Sequence, residues 1–303
     1  MVRRKEIDMS LATKYRPKEF SDVYGQDVCT ITLENQIKNK DYAHVLLFTG
    51  NAGCGKTTCA RIFANKINGE IIELDCAFHN GVADIKEIVD NARTKSILYD
   101  YKVIILDECH TLSSAAWSSL LTVLEEDIPH VIFVLCTTDA QKIPNTIISR
   151  AQRLNFVPIP NKEIFIRLKE IVNIEHIGIE DDALKYVVRS AKGSLRQALT
   201  NLENCVRYGK FDIESVCKVV GLVQIEECNK LYTAFDKHDI IVIIETINRL
   251  YNSGYELHLF VRQFLDYCIT KSNMDLVERL LVILQDIRYD ESPKNIIIAR
   301  LII

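Results

Sequence analysis

The chain has 303 residues, of which 48% are apolar and 26% charged, and its formal net charge is -4 at pH 7. Such a chain can bury substantial cores in two or three domains, as a soluble globular protein does. The net charge argues against a uniformly basic nucleic-acid-binding surface, although a local basic face inside an assembly stays open. The sequence has neither an apolar run of roughly 18 residues nor the apolar core of an export signal, so we expect a cytoplasmic protein without a membrane partner.

Two sequence patterns divide the chain. The first half alternates β-rich runs with helix-period stretches, as in a parallel sheet covered by helices, and the candidate strands are HVLLFTG, IIELDC, VIILDE and VIFVLCTT. Helical patterns follow from about Pro158. Turn signals at Pro158–Pro160 and at Tyr208–Asp212 then predict three domains, 1–157, 158–209 and 210–303. The ten cysteines, several of them in apolar runs, are predicted to be buried small hydrophobes.

A glycine-rich segment with the P-loop pattern follows the first candidate strand and opens a helical stretch. Its backbone N–H groups and the helix amino end would bind the phosphates of ATP, and Lys56 would neutralise the β- and γ-phosphates. The Thr57 hydroxyl would coordinate Mg²⁺. The alternative is an accidental glycine-rich turn, which the flanking strand and helix disfavour. The predicted nucleotide-binding residues here are Gly50, Asn51, Ala52, Gly53, Cys54, Gly55, Lys56, Thr57 and Thr58.

Two adjacent carboxylates end the third candidate strand, VIILDE. Because neighbouring strand residues point in opposite directions, we expect Asp107 to face the Mg²⁺ ion and Glu108, at the strand edge, to act as the general base for water. The alternative is a pair of ordinary surface acids after a strand, which the nearby P-loop disfavours.

A series of motifs along most of the chain carries a family resemblance: KYRPKEF, SDVYGQ, GNAGCGKTT, IIELDCAFHNGVADIKEI, VIILDECHTLSSAAWSSLLTVLEE, VLCTTD, IISR and KGSLRQAL. In this order they closely resemble the gamma/tau subunits of bacterial DNA polymerase III, which are ATPases of sliding-clamp loaders. The resemblance implies an α/β fold, with an AAA+ P-loop NTPase domain on a parallel sheet (1–157), a small helical lid (158–209) and a helical collar (210–303).

The resemblance also implies roles for residues that would otherwise read as surface or packing residues. Thr138 matches sensor 1 near the γ-phosphate, Arg150 matches an arginine finger that acts on the neighbouring subunit's ATP, and Arg196 matches sensor 2. The segment that borders the adenine matches at Tyr15, Arg16, Pro17 and Val23, whose alternative is ordinary packing of an amino-terminal arm. Lys86 and Thr146 match positions that approach the DNA backbone.

The implied partners are other clamp-loader subunits in a pentameric ring, a sliding clamp and primer-template DNA, and the implied cofactors are ATP and Mg²⁺. The family's four-cysteine zinc insertion is missing at Lys66–Ile71 and the chain has no CxxC pair, so we predict no zinc. We also expect a short form without the tau-like extension, such as a phage or a reduced genome could encode, in the cytoplasm of a bacterial or phage-infected cell.

Two other functions share these motifs. A different AAA+ DNA machine, of the Holliday-junction or initiator type, would have the same P-loop, acidic pair and arginines, although GSLRQAL and the collar-like end favour a clamp loader. A scaffold subunit that holds nucleotide without hydrolysing it is the second alternative. Intact Lys56, Asp107, Glu108 and Arg150 argue against it.

Overall fold

The computed structural model describes residues 9–126, 128–289 and 293–302. The chain forms two compact units, one made of the residues up to Ile166 with Lys192–Leu199, and the other of Arg167–Ala191 with Thr200–Ile303. The predicted domain boundaries after residues 157 and 209 do not coincide with this division and stay a prediction.

A five-stranded parallel sheet forms the centre of the first unit, in the order β2-β3-β4-β1-β5. The four strands predicted from apolar runs are confirmed, and β5 is an addition to them. It was missed because its sequence, QRLN, is polar and only Leu154 in it is buried. The strands are β1 (Val45–Thr49), β2 (Gly69–Asp75), β3 (Tyr101–Asp107), β4 (Val131–Thr137) and β5 (Gln152–Asn155).

Helices cover both faces of this sheet, because alternate strand residues point to opposite sides. Val45 and Leu47 pack with the helices at 82–93 (α4) and 114–125 (α5). Leu46 and Phe48 pack with the helices at 27–39 (α2) and 56–66 (α3). The inner strands β1, β3 and β4 are therefore mostly apolar, which explains why they were predictable. The helices begun in this unit are α1 (Leu11–Lys14), α2 (Asp27–Asn39), α3 (Lys56–Lys66), α4 (Val82–Arg93), α5 (Ser114–Glu125), α6 (Asn145–Ile148) and α7 (Asn161–Ile174).

The second unit is helical, as predicted for the chain after Pro158. Side-chain caps define several of its helix starts: Asp212, Asp239 and Asn273 each accept a backbone N–H from the first turn that follows. The remaining helices are α8 (Asp181–Ser190), α9 (Leu195–Tyr208), α10 (Ile213–Val220), α11 (Ile225–Asp236), α12 (Ile240–Asn252), α13 (Leu257–Thr270), α14 (Met274–Asp286) and α15 (Pro293–Ile302). Helices α7 and α9 are each divided between the two units.

One hydrophobic core of the second unit is made by the last five helices, which contribute Leu231, Ile247, Phe264, Leu280 and Ile297 among others. All ten cysteines of the chain are buried, as predicted, and all ten are unbridged. Within the described ranges, no helix has the length and apolar character needed to span a bilayer.

A buried lysine stabilises the amino end of the sheet. Lys102 of β3 is only 4% exposed. Its ammonium donates to the Asn91 carbonyl (2.7 Å), to Asn91 Oδ1 (2.6 Å) and to Thr94 Oγ1 (2.8 Å). Three acceptors match the three N–H donors of the ammonium. The lysine therefore caps the carboxyl end of α4, where a positive charge is favourable.

Candidate nucleotide-binding site

The predicted P-loop connects β1 to α3, in the strand, loop, helix order that the motif requires. Gly50, Gly53 and Gly55 all have positive φ, at 148°, 74° and 108°. A Cβ on Gly50 would collide with the Phe156 carbonyl, and one on Gly53 with Ser194 Oγ. The loop thus needs glycine for its backbone conformation and for close approach of its neighbours.

Lys56 lies inside this loop and is 5% exposed. Its Nζ donates to the carbonyls of Gly50 (2.8 Å) and Asn51 (2.9 Å). The Cys54 thiol also donates to the Asn51 carbonyl, at 2.9 Å, and burial raises the pKa of Cys54. Asn51 and Ala52 are exposed at the tip of the loop. The ammonium is therefore held at the centre of the concave loop.

Thr57 and Asp107, the two predicted Mg²⁺ ligands, are in direct contact. Thr57 Oγ1 donates to Asp107 Oδ2 at 2.7 Å, which joins the start of α3 to the carboxyl end of β3. The two residues are 50 positions apart in the sequence, and β4 lies between β1 and β3 in the sheet. Two oxygen ligands suited to a hard cation therefore lie side by side.

Glu108 departs from the strand alternation that was predicted for it. Strand β3 ends at Asp107, and Glu108 has left-handed backbone angles of φ 48° and ψ 40°. Its carboxylate Oε2 accepts the Thr138 hydroxyl at 2.8 Å. The predicted general base and the predicted sensor 1 residue are thus brought together, but by a turn rather than by the pleat.

Two residues that sequence reasoning missed complete this corner. His110 Nδ1 lies 3.3 Å from Glu108 Oε2 and 3.1 Å from Thr137 Oγ1. The available signal was the histidine two positions after Glu108, together with Thr137, the threonine that ends β4 just before Thr138. The tight 3-10 turn at Cys109–Thr111, which directs His110 back toward Glu108, gives no periodic pattern.

The predicted adenine-border segment contacts the loop at two points. Arg16 Nε donates to Thr58 Oγ1 at 3.2 Å, and Val23 Cγ1 lies 3.8 Å from the position of a Cβ on Gly55. The pKa of Arg16 lies below its ordinary value because of partial burial first, and then because of nearby positive charge on Arg61 and Arg196. Tyr15 and Pro17 flank Arg16 and are half-buried.

Arg196 lies beside the P-loop in the same compact unit. Its Cβ is 3.2 Å from the position of a Cβ on Gly53, and Ser194 lies against the same glycine. Ser194 Oγ accepts the Gln197 N–H at 3.2 Å, at the start of α9. The predicted sensor 2 residue is therefore near the phosphate-binding loop.

Arg150 lies near the amino end of β1, at the opposite end of the sheet from the P-loop. It donates to Glu125 Oε1 (2.8 Å) and to the Thr146 carbonyl (2.9 Å). Together with His44 and Val45, this ion pair lines a pocket of about 590 Å³. Val45 begins β1, whereas the P-loop follows its carboxyl end, and five strand residues span roughly 16 Å.

The two predicted DNA-contact residues are both exposed and lie on different helices. Lys86 is on α4 and Thr146 is on α6. The Thr146 carbonyl is already used by Arg150 and by the Ser149 hydroxyl. Their role at DNA stays a prediction.

At the position of the family's zinc insertion, α3 ends at Lys66 and β2 begins at Gly69, so that two residues make the connection. In the part of the chain that the structure describes, no three His, Cys, Asp or Glu side chains are grouped as a metal site.

Two family models match this chain. Residues 46–159 match the ATPase family associated with various cellular activities (AAA), and residues 163–210 match the ATPase lid domain of DNA polymerase III clamp loader subunits. The P-loop and both carboxylates fall in the first match, and Arg196 falls in the second. The chain is thus an AAA ATPase with a lid of the clamp-loader type.

Curated relatives narrow the class. The DNA polymerase III subunit gamma of Buchnera aphidicola is 31% identical over 296 residues, which cover 88% of this chain and 82% of the relative. The subunit tau of Bacillus subtilis is 32% identical over 308 residues, which cover 93% of this chain and 55% of the relative. The chain belongs to the gamma/tau family of DNA polymerase III subunits, in agreement with the resemblance found in its motifs.

The chain spans only part of most relatives: about half of the Bacillus subtilis subunit and 42% of the Escherichia coli subunit tau. Among solved structures, the RuvB Holliday junction branch migration motor of Thermotoga maritima superposes with a TM-score of 0.58. The match has 21% sequence identity and covers 74% of this chain and 80% of RuvB. At that identity the likeness concerns the fold.

Proposed function

We propose that this chain is an ATPase motor subunit of a DNA-polymerase sliding-clamp loader, in which ATP binding holds the clamp open and hydrolysis releases it on primer-template DNA. The observation that carries the proposal is the assembled hydrolytic set in a chain of this family: Lys56 in the loop, Thr57 on Asp107, and Thr138 on Glu108. A scaffold subunit that hydrolyses nothing would have no use for both carboxylates in these positions.

Nucleotide binding would rest on the loop and on Lys56. The backbone N–H groups of the loop and the amino end of α3 attract phosphate oxygens. Lys56 would exchange its present carbonyl acceptors at Gly50 and Asn51 for oxygens of the β- and γ-phosphates. Arg16, Val23 and the residues Tyr15 and Pro17 would border the adenine, and Arg196 would contact the phosphates from α9.

The pair of Thr57 and Asp107 fits a Mg²⁺ ion. Both supply hard oxygen ligands, and their separation of 2.7 Å is close to the about 2.9 Å expected between neighbouring ligands of an octahedral Mg²⁺ site. The bound ion would neutralise charge on the phosphate oxygens. Thr57 and Asp107 would hold it, directly or through water.

Hydrolysis would use Glu108 as the general base. Its carboxylate would take a proton from water while the water oxygen bonds to the γ-phosphorus and the bond to the leaving ADP oxygen breaks. Thr138 would keep the carboxylate oriented through the hydrogen bond it donates to Oε2. Preorganisation of this kind removes a reorientation cost from the reaction step.

Arg150 would act on the ATP of a neighbouring subunit. Its guanidinium lies roughly one strand length from its own P-loop, beside a pocket that opens at the amino end of β1. On assembly it would exchange Glu125 for the neighbour's γ-phosphate, whose charge a guanidinium binds in bidentate fashion. The implied assembly is a pentameric ring that holds the clamp.

DNA contacts in this assembly would be to the backbone, with Lys86 and Thr146 as the candidates. Such contacts supply affinity without sequence choice and weaken with salt. They suit a loader, which must act at any primer-template junction in the cytoplasm.

The test is the steady-state ATPase rate of the purified chain, with the subunits that co-purify with it, in the presence and absence of sliding clamp and primed DNA. We expect strong stimulation by clamp and DNA together, and its loss in Glu108→Gln. Turnover that ignores the clamp would favour another AAA+ DNA machine, and no turnover under any condition would favour the scaffold.

A further inference from the structure

The hydrolytic set proposed above leaves His110 without a role. Its side chain is only 16% exposed, in the turn that follows Glu108. Nδ1 faces two oxygen atoms from different parts of the fold, Glu108 Oε2 at 3.3 Å and Thr137 Oγ1 at 3.1 Å. An imidazole in this position can restrain the carboxylate that it touches.

The chemistry of the neighbours assigns the proton on the ring. An ionised carboxylate only accepts hydrogen bonds, so a nitrogen lone pair 3.3 Å from Glu108 Oε2 would repel it. With the proton on Nδ1, the same contact is attractive, and the Thr137 hydroxyl serves as a second acceptor. His110 is therefore a donor to this corner of the site.

The two donors act on one oxygen of Glu108. Thr138 Oγ1 and His110 Nδ1 both contact Oε2. Among the described hydrogen bonds and ion pairs, Oε1 takes no contact. The carboxylate is therefore held through one oxygen, which would leave the other for the attacking water.

His110 also connects Glu108 to the phosphate-binding loop. Its second contact, Thr137, accepts the Gly50 backbone N–H on its carbonyl at 3.2 Å and the Asp139 N–H on its hydroxyl at 3.0 Å. Thr137 is fully buried in β4. The contacts from Gly50 through Thr137 and His110 to Glu108 thus fix the base relative to the first residue of the P-loop.

The backbone conformation of Glu108 is held separately from its side chain, so the side chain needs a restraint of its own. Its left-handed conformation is uncommon for a residue with a Cβ. The carbonyl of Glu108 is held by the backbone N–H (3.0 Å) and hydroxyl (2.9 Å) of Thr111. These bonds fix the main chain but not the side-chain rotamer, which Thr138 and His110 control.

We propose that His110 is a positioning residue for hydrolysis. It orients the Glu108 carboxylate through Oε2 and, through its contact with Thr137, fixes the position of that carboxylate relative to the P-loop. This inference rests on the proposed ATPase function, in which Glu108 is the base. Because His110 contacts no group proposed to bind ATP, its loss should slow the reaction step and leave ATP affinity unchanged.

The experiment measures ATP affinity and single-turnover hydrolysis in the full chain with its companion subunits. We expect His110→Ala to lower the hydrolysis rate roughly tenfold, as a misplaced catalytic group does, with no change in Kd for ATP. His110→Asn should restore most of the rate because its amide can occupy the position of Nδ1. His110→Gln places its amide at the position of Nε2 and should not restore it.

Two controls separate positioning from a structural effect. His79→Ala removes a similar contact, from His79 Nδ1 to Asp84 Oδ1 at 3.3 Å, away from the site, and should leave the rate unchanged. In the Glu108→Gln background, His110→Ala should lower the residual rate no further, because a residue that acts through Glu108 has nothing left to orient.

Three results would overturn the inference: equal rates for the Asn and Gln variants, a loss of ATP affinity as large as the loss of rate, or a further tenfold loss in the Glu108→Gln background. The Asn and Gln comparison decides the matter even if His110→Ala fails to fold. If the wild-type assembly shows no turnover, or turnover that ignores the clamp, the proposed function fails instead, so the two failures are distinguishable.

Discussion

The two ends of strand β1 differ in how far the chain completes its own chemistry. At the carboxyl end, Lys56 is held inside its loop, Thr57 is paired with Asp107, and Glu108 is paired with Thr138. At the amino end, the predicted finger Arg150 is held by an exposed glutamate at the edge of an open pocket. We propose that the first end binds and hydrolyses nucleotide and that the second presents a cation to a neighbouring subunit.

The direction of the secondary structure explains this difference. Parallel strands bring their carboxyl ends and the amino ends of the following helices to one edge, where anions bind. The opposite edge collects helix carboxyl ends, which favour cations. Lys102 donates to a carbonyl at the end of α4, and Arg150 donates to a carbonyl of α6. Basic side chains at this edge therefore find carbonyl acceptors on the neighbouring helices.

The most disruptive way to test the carboxyl end is Lys56→Ala. We expect a loss of more than about 10³-fold in kcat/KM for ATP, because both phosphate binding and transition-state stabilisation depend on this charge. Lys66→Ala is the matched control, since it removes a lysine from the same helix that pairs on the surface with Glu19. Steady-state kinetics and a nucleotide-binding titration give the answer, and near-normal ATP binding by the Lys56 variant would contradict the P-loop assignment.

Arg150→Ala tests the amino end. We expect the isolated variant to bind ATP normally, whereas kcat of an assembly in which every copy is mutated falls by about 10³-fold, as for other arginine fingers. The control is Arg93→Ala, which breaks a similar exposed ion pair with Glu126, the neighbour of Glu125. Normal turnover in the all-mutant assembly would contradict the assignment of Arg150 as an arginine finger, and with it the difference proposed between the two ends.

A pair of aspartates sharpens the assignment within the carboxyl end. Asp75 and Asp107 are register partners on β2 and β3, but only Asp107 contacts Thr57. Asp107→Asn should lower kcat about 10- to 100-fold and raise the Mg²⁺ concentration needed for half-maximal rate, because a ligand or its support is lost. Asp75→Asn should leave both unchanged, since Asp75 caps its own turn at Ala77. A Mg²⁺ titration of the ATPase rate distinguishes the two variants.

The sequence alone was sufficient to predict the elements that are specified by neighbouring residues in the chain. The inner strands β1, β3 and β4 were predicted because burial on both faces requires mostly apolar runs, and the edge strand β2 because Ile71, Ile72 and Leu74 still make it β-rich. The P-loop was predicted because its glycines, Lys56 and Thr57 are adjacent in the chain. Strand β5 was missed because an edge strand needs only Leu154 inside, so its remaining residues are polar.

Tertiary contacts of polar side chains lay beyond such patterns. The pair of Arg150 and Glu125 joins residues 25 positions apart on different elements. The contact of His110 with Glu108 depends on a left-handed backbone at a residue that is not glycine. The roles of Thr138, Arg150 and Arg196 were suggested by the family resemblance, since residue type alone favours ordinary surface positions.

The smallest expected effect on catalysis comes from Lys102→Met, which tests whether the amino end of the sheet serves stability. The change removes the Lys102 donor from Asn91 Oδ1 and Thr94 Oγ1 and one of the donors to the Asn91 carbonyl, so we expect the free energy of unfolding to fall by about 2 kcal/mol. The ATPase rate per folded molecule should not change, because Lys102 lies at the opposite end of β3 from Asp107. Urea denaturation measures the first quantity, and Lys95→Met, at an exposed lysine nearby, is the control. A lower rate in a fully folded Lys102 variant would mean that the two ends of the sheet are not independent.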